Sequence, residues 1–298
     1  MSRASAVMDR LKEKRRGRFL GSLPDAARSR HLRRGVCAFA ALALLYGLVS
    51  EVGSLFLPRR VWMAVHYVEG VELIPRYSSL GEEAAFLIRA GILQSSIAVS
   101  LGRVLQGLLL GSAIGVPLGL ATARITRLEY LVDPWVTFFR FTPALALLPL
   151  YVLWFGFGEA SKILLIATGV AVVTLLGAHH GGRDIPRVYL DAALALGAPR
   201  RMVLRRIILP AALPHIFASL RISVALAWVT IVIAELIDPR MPSLGYLLVL
   251  GGASPRVPTI VIGIATIGLL VLASDLITLR LYAHATSWMK RRDADQRA

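Results

Sequence analysis

Ionisable side chains stand inside runs that are otherwise apolar, among them Arg103, Arg140, Arg221 and Glu235. A charge in such a place is costly and is retained for pairing or for a solute path. Arg140, in FFRFTPAL, stands beside Thr142, and Pro143 frees a backbone carbonyl there. A guanidinium at that point can grip a sulfonate, nitrate or carboxylate through two oxygens. It can equally be neutralised by Glu235, Asp133 or the freed carbonyl. Arg221 reads as a side chain reaching back to an interface. Trp228 reads as path-lining or as core, and Glu159 and Lys162 as loop charges. His179 and His180 are adjacent, so on a helix their rings diverge by about 100°. That geometry is poor for one metal ion, and no ligand cluster accompanies them, so no metal is expected. A pH-sensitive inner gate is their other reading.

Reaction chemistry finds no support. G-x-S-x-G, H-E-x-x-H and a Cys–His constellation are all missing. The single cysteine, Cys37, lies in an apolar run and reads as a packing residue. The phosphate-cradling G-x-x-x-x-G-K-[ST] is missing too, so this chain has no P-loop for ATP. No catalytic residue and no cofactor are expected in it.

The elements that position these residues are membrane spans. Of 298 residues, 56% are hydrophobic and 17% charged, a poorer charge content than soluble domains carry. The apolar residues come in long blocks without two-residue alternation, which argues for helices rather than a barrel. A basic arm covers 1–34, a first span 35–57 and an external amphipathic segment 58–92. Five further spans near 93–121, 128–155, 162–180, 213–237 and 258–282 form a core over 93–283, with a polar loop at 183–212 and a basic tail at 284–298. The fold class is all-α and polytopic, with about six spans. The net charge of +16 is explained by topology and anionic lipid rather than nucleic acid. Arginines crowd the arm, the loop at 124–127, the loop at 183–206 and the tail, which six spans place on one side. The positive-inside rule then makes that side, with both termini, cytoplasmic.

Two further patterns stand out. QGLLLGSAIGVPLG spaces Gly107, Gly111, Gly115 and Gly119 four apart, on one helix face that a neighbour can approach closely. Pro117 in the same run admits a gating hinge as the alternative to tight packing. The second pattern is DAALALGAPRRMVLRRIILPAALP, residues 191–214. A short helix from near Tyr189 ends at Gly197, with Asp191 in its first turn, and Pro199 opens a second. Val203, Leu204, Ile207 and Ile208 share its apolar side, while Pro210 and Pro214 punctuate the entry to the next span. Such a helix–turn–helix either parks arginines against lipid or docks a partner.

The same stretch resembles the loop that importers driven by an ATP-binding cassette (ABC importers) present to their ATPase, written EAA…G………I.LP. Asp191 stands for the glutamate, and Ala192, Ala193, Gly197, Ile207, Leu209 and Pro210 fall in register. LLPLYVLWFGFGEASKILLI and GYLLVLGG are similar to the nitrate/sulfonate/taurine branch of these permeases, over roughly residues 55–290. Where many members carry Asn-Thr at the end of the fourth span, this chain has LLGAHHGGRDIP. The resemblance implies a type I importer permease fold and a homodimer in a bacterial inner membrane. It also implies an external solute-binding protein and a cytoplasmic P-loop ATPase dimer carrying ATP and Mg. Asp191, Ala192, Ala193, Gly197, Arg200, Arg201, Ile207 and Pro210 would meet that ATPase. Arg140, Thr142, Trp228 and Glu235 are the candidates for the solute path. A transporter or channel driven by an ion gradient, with no ATPase, is the alternative.

Overall fold

The computed structural model describes residues 67–68, 71–72, 75–240, 242–253 and 256–287. The arm, the first span with Cys37, and all but the start of the tail lie outside the described residues. The chain divides into two compact units, Met1–Tyr77 and Ser78–Ala298. Of the first, a two-stranded hairpin is described: β1 (Tyr67–Val68) pairs antiparallel with β2 (Val71–Glu72), Tyr67 opposite Glu72.

The second unit is helical. α1 (Tyr77–Arg89) leads through Gly91, at φ 70°, into α2 (Ile92–Thr122). α3 (Thr126–Phe141) and α4 (Leu148–Phe155) follow, joined by a 3-10 turn at Ala144–Leu147. α5 (Glu159–Arg183) returns, and α6 (Arg187–Ala195) and α7 (Arg200–Val203) make the polar loop. α8 (Leu209–Ile237), α9 (Leu244–Ala253) and α10 (Val257–Ala285) complete the unit.

Four of these helices are long and apolar enough to cross a membrane: Ile92–Thr122, Glu159–Arg183, Arg200–Ile237 and Val257–Ala285. They lie over four of the five runs expected for this part of the chain. The fifth, 128–155, is not one straight span, since its halves meet at 99°. Thr142 is extended at φ −82° and ψ 122° because the Pro143 ring excludes the helical conformation before it, and Pro143 has no N–H to continue the ladder. α9 was not expected at all. It is ten residues long, too short to span and too apolar for a loop.

The core is built by α2, α5, α8 and α9. Val104, Ile166, Val170, Val224, Ala227, Trp228, Ile231, Leu244 and Leu247 are all buried there. α2 meets α5 through its glycine face: Gly107, Gly111, Gly115 and Gly119 are buried. A Cβ on Gly107 would lie 2.5 Å from Ile166 Cγ2, and one on Gly111 would lie 2.6 Å from the Ala167 carbonyl oxygen. At Gly115 and Gly119 the obstacles, Thr174 Oγ1 and the Leu175 carbonyl oxygen, are closer still. The helix continues through Pro117. Close backbone approach is therefore what these glycines provide. On its other side α5 meets α8 through Gly177 and Gly181, where a Cβ on Gly181 would lie 2.9 Å from His215 Cβ.

Candidate functional site

At one end of the bundle α6, Gly197 and α7 form a folded knob. α6 closes in a Schellman arrangement. Ala198 N–H donates to the Ala193 carbonyl at 3.0 Å, Gly197 N–H donates to Leu194 at 2.9 Å, and Gly197 sits at φ 79°. Nothing lies within 4 Å of a Cβ built on Gly197. The demand for glycine here is one of backbone conformation, not of space.

The local structure corrects the sequence reading twice. α6 begins at Arg187 after Pro186, two residues early, so Asp191 lies beyond the first turn, which holds no acidic residue. The second helix is not a separate short one. From Arg200 it runs to Ile237 as a single 38-residue helix. A π turn at Leu204–Ile208 comes just before Pro210, and α8 continues past Pro214. The wider turn accommodates the backbone where the prolines break the ordinary ladder.

Val203 and Ile208 are buried with Ile185, Ala212 and Ile216, which fixes the knob to the bundle. Asp191, Ala192, Gly197, Arg200 and Arg201 are exposed, and Ala193, Ile207 and Pro210 are half-buried. Leu204, expected on the apolar side, is exposed. Outward from the knob stand large apolar side chains: Leu196 is 89% exposed, Val188 74% and Tyr189 65%. Large apolar side chains exposed on a basic knob suit a protein partner.

Polar ties above the knob fasten the helix ends. Thr122 Oγ1 lies 3.1 Å from His179 Nδ1, and Arg183 pairs with Glu129. Arg124 donates to the Gly182 carbonyl at 2.5 Å, and His215 Nε2 lies 3.1 Å from Asp184 Oδ2. His179 thus ties α5 to α2, and with its Nε2 3.7 Å from Glu129 Oε1 it also lies against α3. Its spacing from Arg183, four residues on one helix face, was the available signal.

The opposite end of the bundle carries a charge network that sequence reasoning missed. Arg103 is buried. Its Nη1 donates to Glu235 Oε1 at 2.7 Å, its Nε to Glu159 Oε2 at 2.7 Å, and its Nη2 to Glu159 Oε1. Glu235, fully buried, also accepts from Ser100 Oγ at 2.8 Å and from the Gly245 N–H at 3.0 Å. Ser100 Oγ in turn accepts from the Leu244 N–H at 3.0 Å. Glu235 and Ser100 therefore cap α9, whose first amide groups need acceptors. Lys162, read as a loop charge, is buried with its Nζ 3.0 Å from Asp238 Oδ2.

Asp238 follows α8. Burial raises its pKa, but hydrogen bonds from Lys162 and Arg240 outweigh burial and hold the carboxyl below its ordinary value. A depressed folded-state value contributes stability above the unfolded value, about 3.9, which is lost as pH falls through the folded one. The melting temperature of Asp238→Asn is therefore expected to lie below wild type by a constant margin from about pH 5 to 8, narrowing below about pH 4. A margin that shrank between pH 8 and 6 would contradict this assignment.

The four candidates for the solute path separate. Arg140 is exposed in the last turn of α3, beside the bend, with its guanidinium carbon 4.7 Å from the Phe141 ring centre. Among the described residues no salt bridge reaches it, from Glu235, Asp133 or any other. Thr142, half-buried, is the extended residue of the bend. Trp228 is buried in the core and donates from Nε1 to Ser274 Oγ at 3.2 Å, and Glu235 is occupied as described. Within this one chain neither offers a surface to a solute. Arg221 does more than reach for an interface: it grips Asp275 of α10 through Nε and Nη2, at 2.8 and 3.0 Å.

Comparison with known proteins gives concordant results. Residues 115–291 match the family described as binding-protein-dependent transport system inner membrane component. The chain is 33% identical over 222 residues to a probable ABC transporter permease protein of Brucella abortus (strain 2308), covering 74% of this chain and 88% of that one. It is 36% identical over 192 residues to the taurine transport system permease protein of Escherichia coli (strain K12), covering 64% and 70%. Among solved structures, an inward-facing conformation of the MetNI methionine ABC transporter matches with a TM-score of 0.58 at 21% identity, over 65% of this chain and 96% of that one.

Proposed function

Since the chain belongs to the family of binding-protein-dependent transport system inner membrane components, we propose that it is the membrane subunit of an ATP-driven importer for a small anionic solute. Its role is transport, not catalysis. A separate cytoplasmic P-loop ATPase supplies the energy and receives the knob formed by α6, Gly197 and α7. The observation that carries this reading is the knob packed on the bundle with Leu196, Val188 and Tyr189 turned outward. The knob end of the bundle is then cytoplasmic, a reading that the arginine distribution supports for a bacterial inner membrane. The opposite end, with Arg103 and Glu159, faces the external solute-binding protein.

Two copies form the path. The described residues hold four candidate spans, or five with the bent pair, and a second copy would complete the enclosure of a path. Support for an anion comes from Arg140, exposed beside a broken span and without a salt bridge among the described residues, and from the taurine system among the relatives. ATP-driven closure of the ATPase would move the knob, and with it α5 and α8, between two arrangements of the dimer.

The test is coupling. In the assembled transporter, Gly197→Val places a β-branched residue at φ 79°, at a cost of roughly 1–2 kcal/mol to the turn. Solute-stimulated ATP hydrolysis is expected to fall about tenfold, since about 1.4 kcal/mol of docking free energy is worth a factor of ten. Leu196→Glu is expected to do the same without backbone strain. Wild-type stimulation in both variants, each inserted normally, would remove the docking claim.

A further inference from the structure

We infer that the Arg103 guanidinium is a receiving station for oxyanion solutes at the end of the bundle away from the knob, and that the Glu159 carboxylate holds the solute's place. The inference rests on the anionic-solute reading above and extends it to a second residue.

One cation serves two carboxylates there, and the two are held very differently. Glu235 is fully buried and fixed by Ser100, the Gly245 N–H and Arg103 Nη1. That contact alone neutralises Arg103. Glu159 takes the remaining edge of the guanidinium, Nε and Nη2, while its side chain is 61% exposed, and among the described residues Arg103 is the side chain that hydrogen-bonds it. The edge of the guanidinium that Glu235 leaves is thus covered by a side chain that is itself largely in solvent. Two parallel N–H donors match the paired oxygens of a carboxylate, sulfonate, nitrate or bicarbonate equally well. Exchange of Glu159 for a solute monoanion conserves the local charge. It also returns to water a carboxylate that is already largely in water, so its desolvation cost is small. The chain permits the movement. Glu159 is the first residue of α5, behind Gly156 at φ 74° and Gly158, and nothing lies within 4 Å of a Cβ on either glycine.

A competitor and a clamp predict opposite results for Glu159→Gln. The full chain, with its co-purifying ATPase in lipid nanodiscs, is melted against rising sodium methanesulfonate, nitrate or bicarbonate, with sodium chloride as the ionic-strength control. If Glu159 holds the solute's place, Glu159→Gln lowers the half-saturating concentration of the best anion about fivefold, the worth of an exposed ion pair. Arg103→Lys keeps the charge, loses the fork and abolishes the response. Should Glu159→Gln fail to fold, Glu159→Asp is expected to shift affinity in the same direction by less. A wild-type response with equal or weaker affinity in the Glu159 variants overturns the station and leaves the importer reading intact. No oxyanion response in wild type or in any variant overturns the station and the anionic-solute reading together, while ATPase co-purification still reports on docking.

Discussion

Replacing Gly115 by valine is expected to stop α2 and α5 from closing on each other. A Cβ at Gly115 meets Thr174 Oγ1 and the Ala171 carbonyl oxygen at less than contact distance. The carbonyl belongs to the α5 backbone, and the Thr174 hydroxyl donates to Val170 at 2.8 Å, so neither gives way cheaply. Overpacking of a core costs about 1–3 kcal/mol where side chains can shift, and the upper end or more is expected where the obstacle is backbone. Pairing it with Gly111→Val, four residues away on the same face, is expected to abolish folded protein in the membrane. Gly268→Ala, where a Cβ meets nothing within 4 Å, is the matched control and is expected to melt like wild type. Melting of purified protein in detergent checks both. Wild-type behaviour of Gly115→Val would mean that α2 and α5 do not meet through their glycines.

Arg103→Ala is the second large effect. It leaves Glu235 fully buried with no cation, and breaking a buried pair from one side costs about 3–5 kcal/mol. The loss reaches beyond α2 because Glu235 and Ser100 also supply acceptors to the first amides of α9. Removing both charges should be milder than removing one. Arg103→Gln with Glu235→Gln is expected to recover most of the stability lost in Arg103→Ala, because no unpaired charge remains inside. A double-mutant cycle on melting free energies gives the coupling. Additive losses would show that the two groups do not meet in the folded protein.

The helices that the sequence reveals are those whose signal is local. α2, α5, α8 and α10 are long, predominantly apolar runs, and the four-residue spacing of Gly107 to Gly119 marks a contact face before any partner is known. The break at Thr142–Pro143 is hidden because both halves of the bent pair are apolar, and one proline can either kink a helix or turn the chain. α9 is hidden by its length. The charge network is hidden by distance: Arg103 and Glu235 are 132 residues apart, and Glu159 and Lys162 stand at the edge of an apolar run, where loop charges also stand. The knob was legible as a motif, but not the continuity of α7 with α8, since two prolines suggest a stop unless a π turn absorbs them.

The central claim is that the knob is where an ATPase grips this chain. The most direct measurement is purification of the tagged chain from its own membranes in a gentle detergent, with the co-purifying proteins identified and counted. A stoichiometric P-loop ATPase, retained by wild type and lost in Gly197→Val while the chain stays inserted, is the result expected. Its absence from preparations in which the chain is still paired with its second copy would contradict the claim, leaving the loop's arginines to anionic lipid and transport, if any, to an ion gradient.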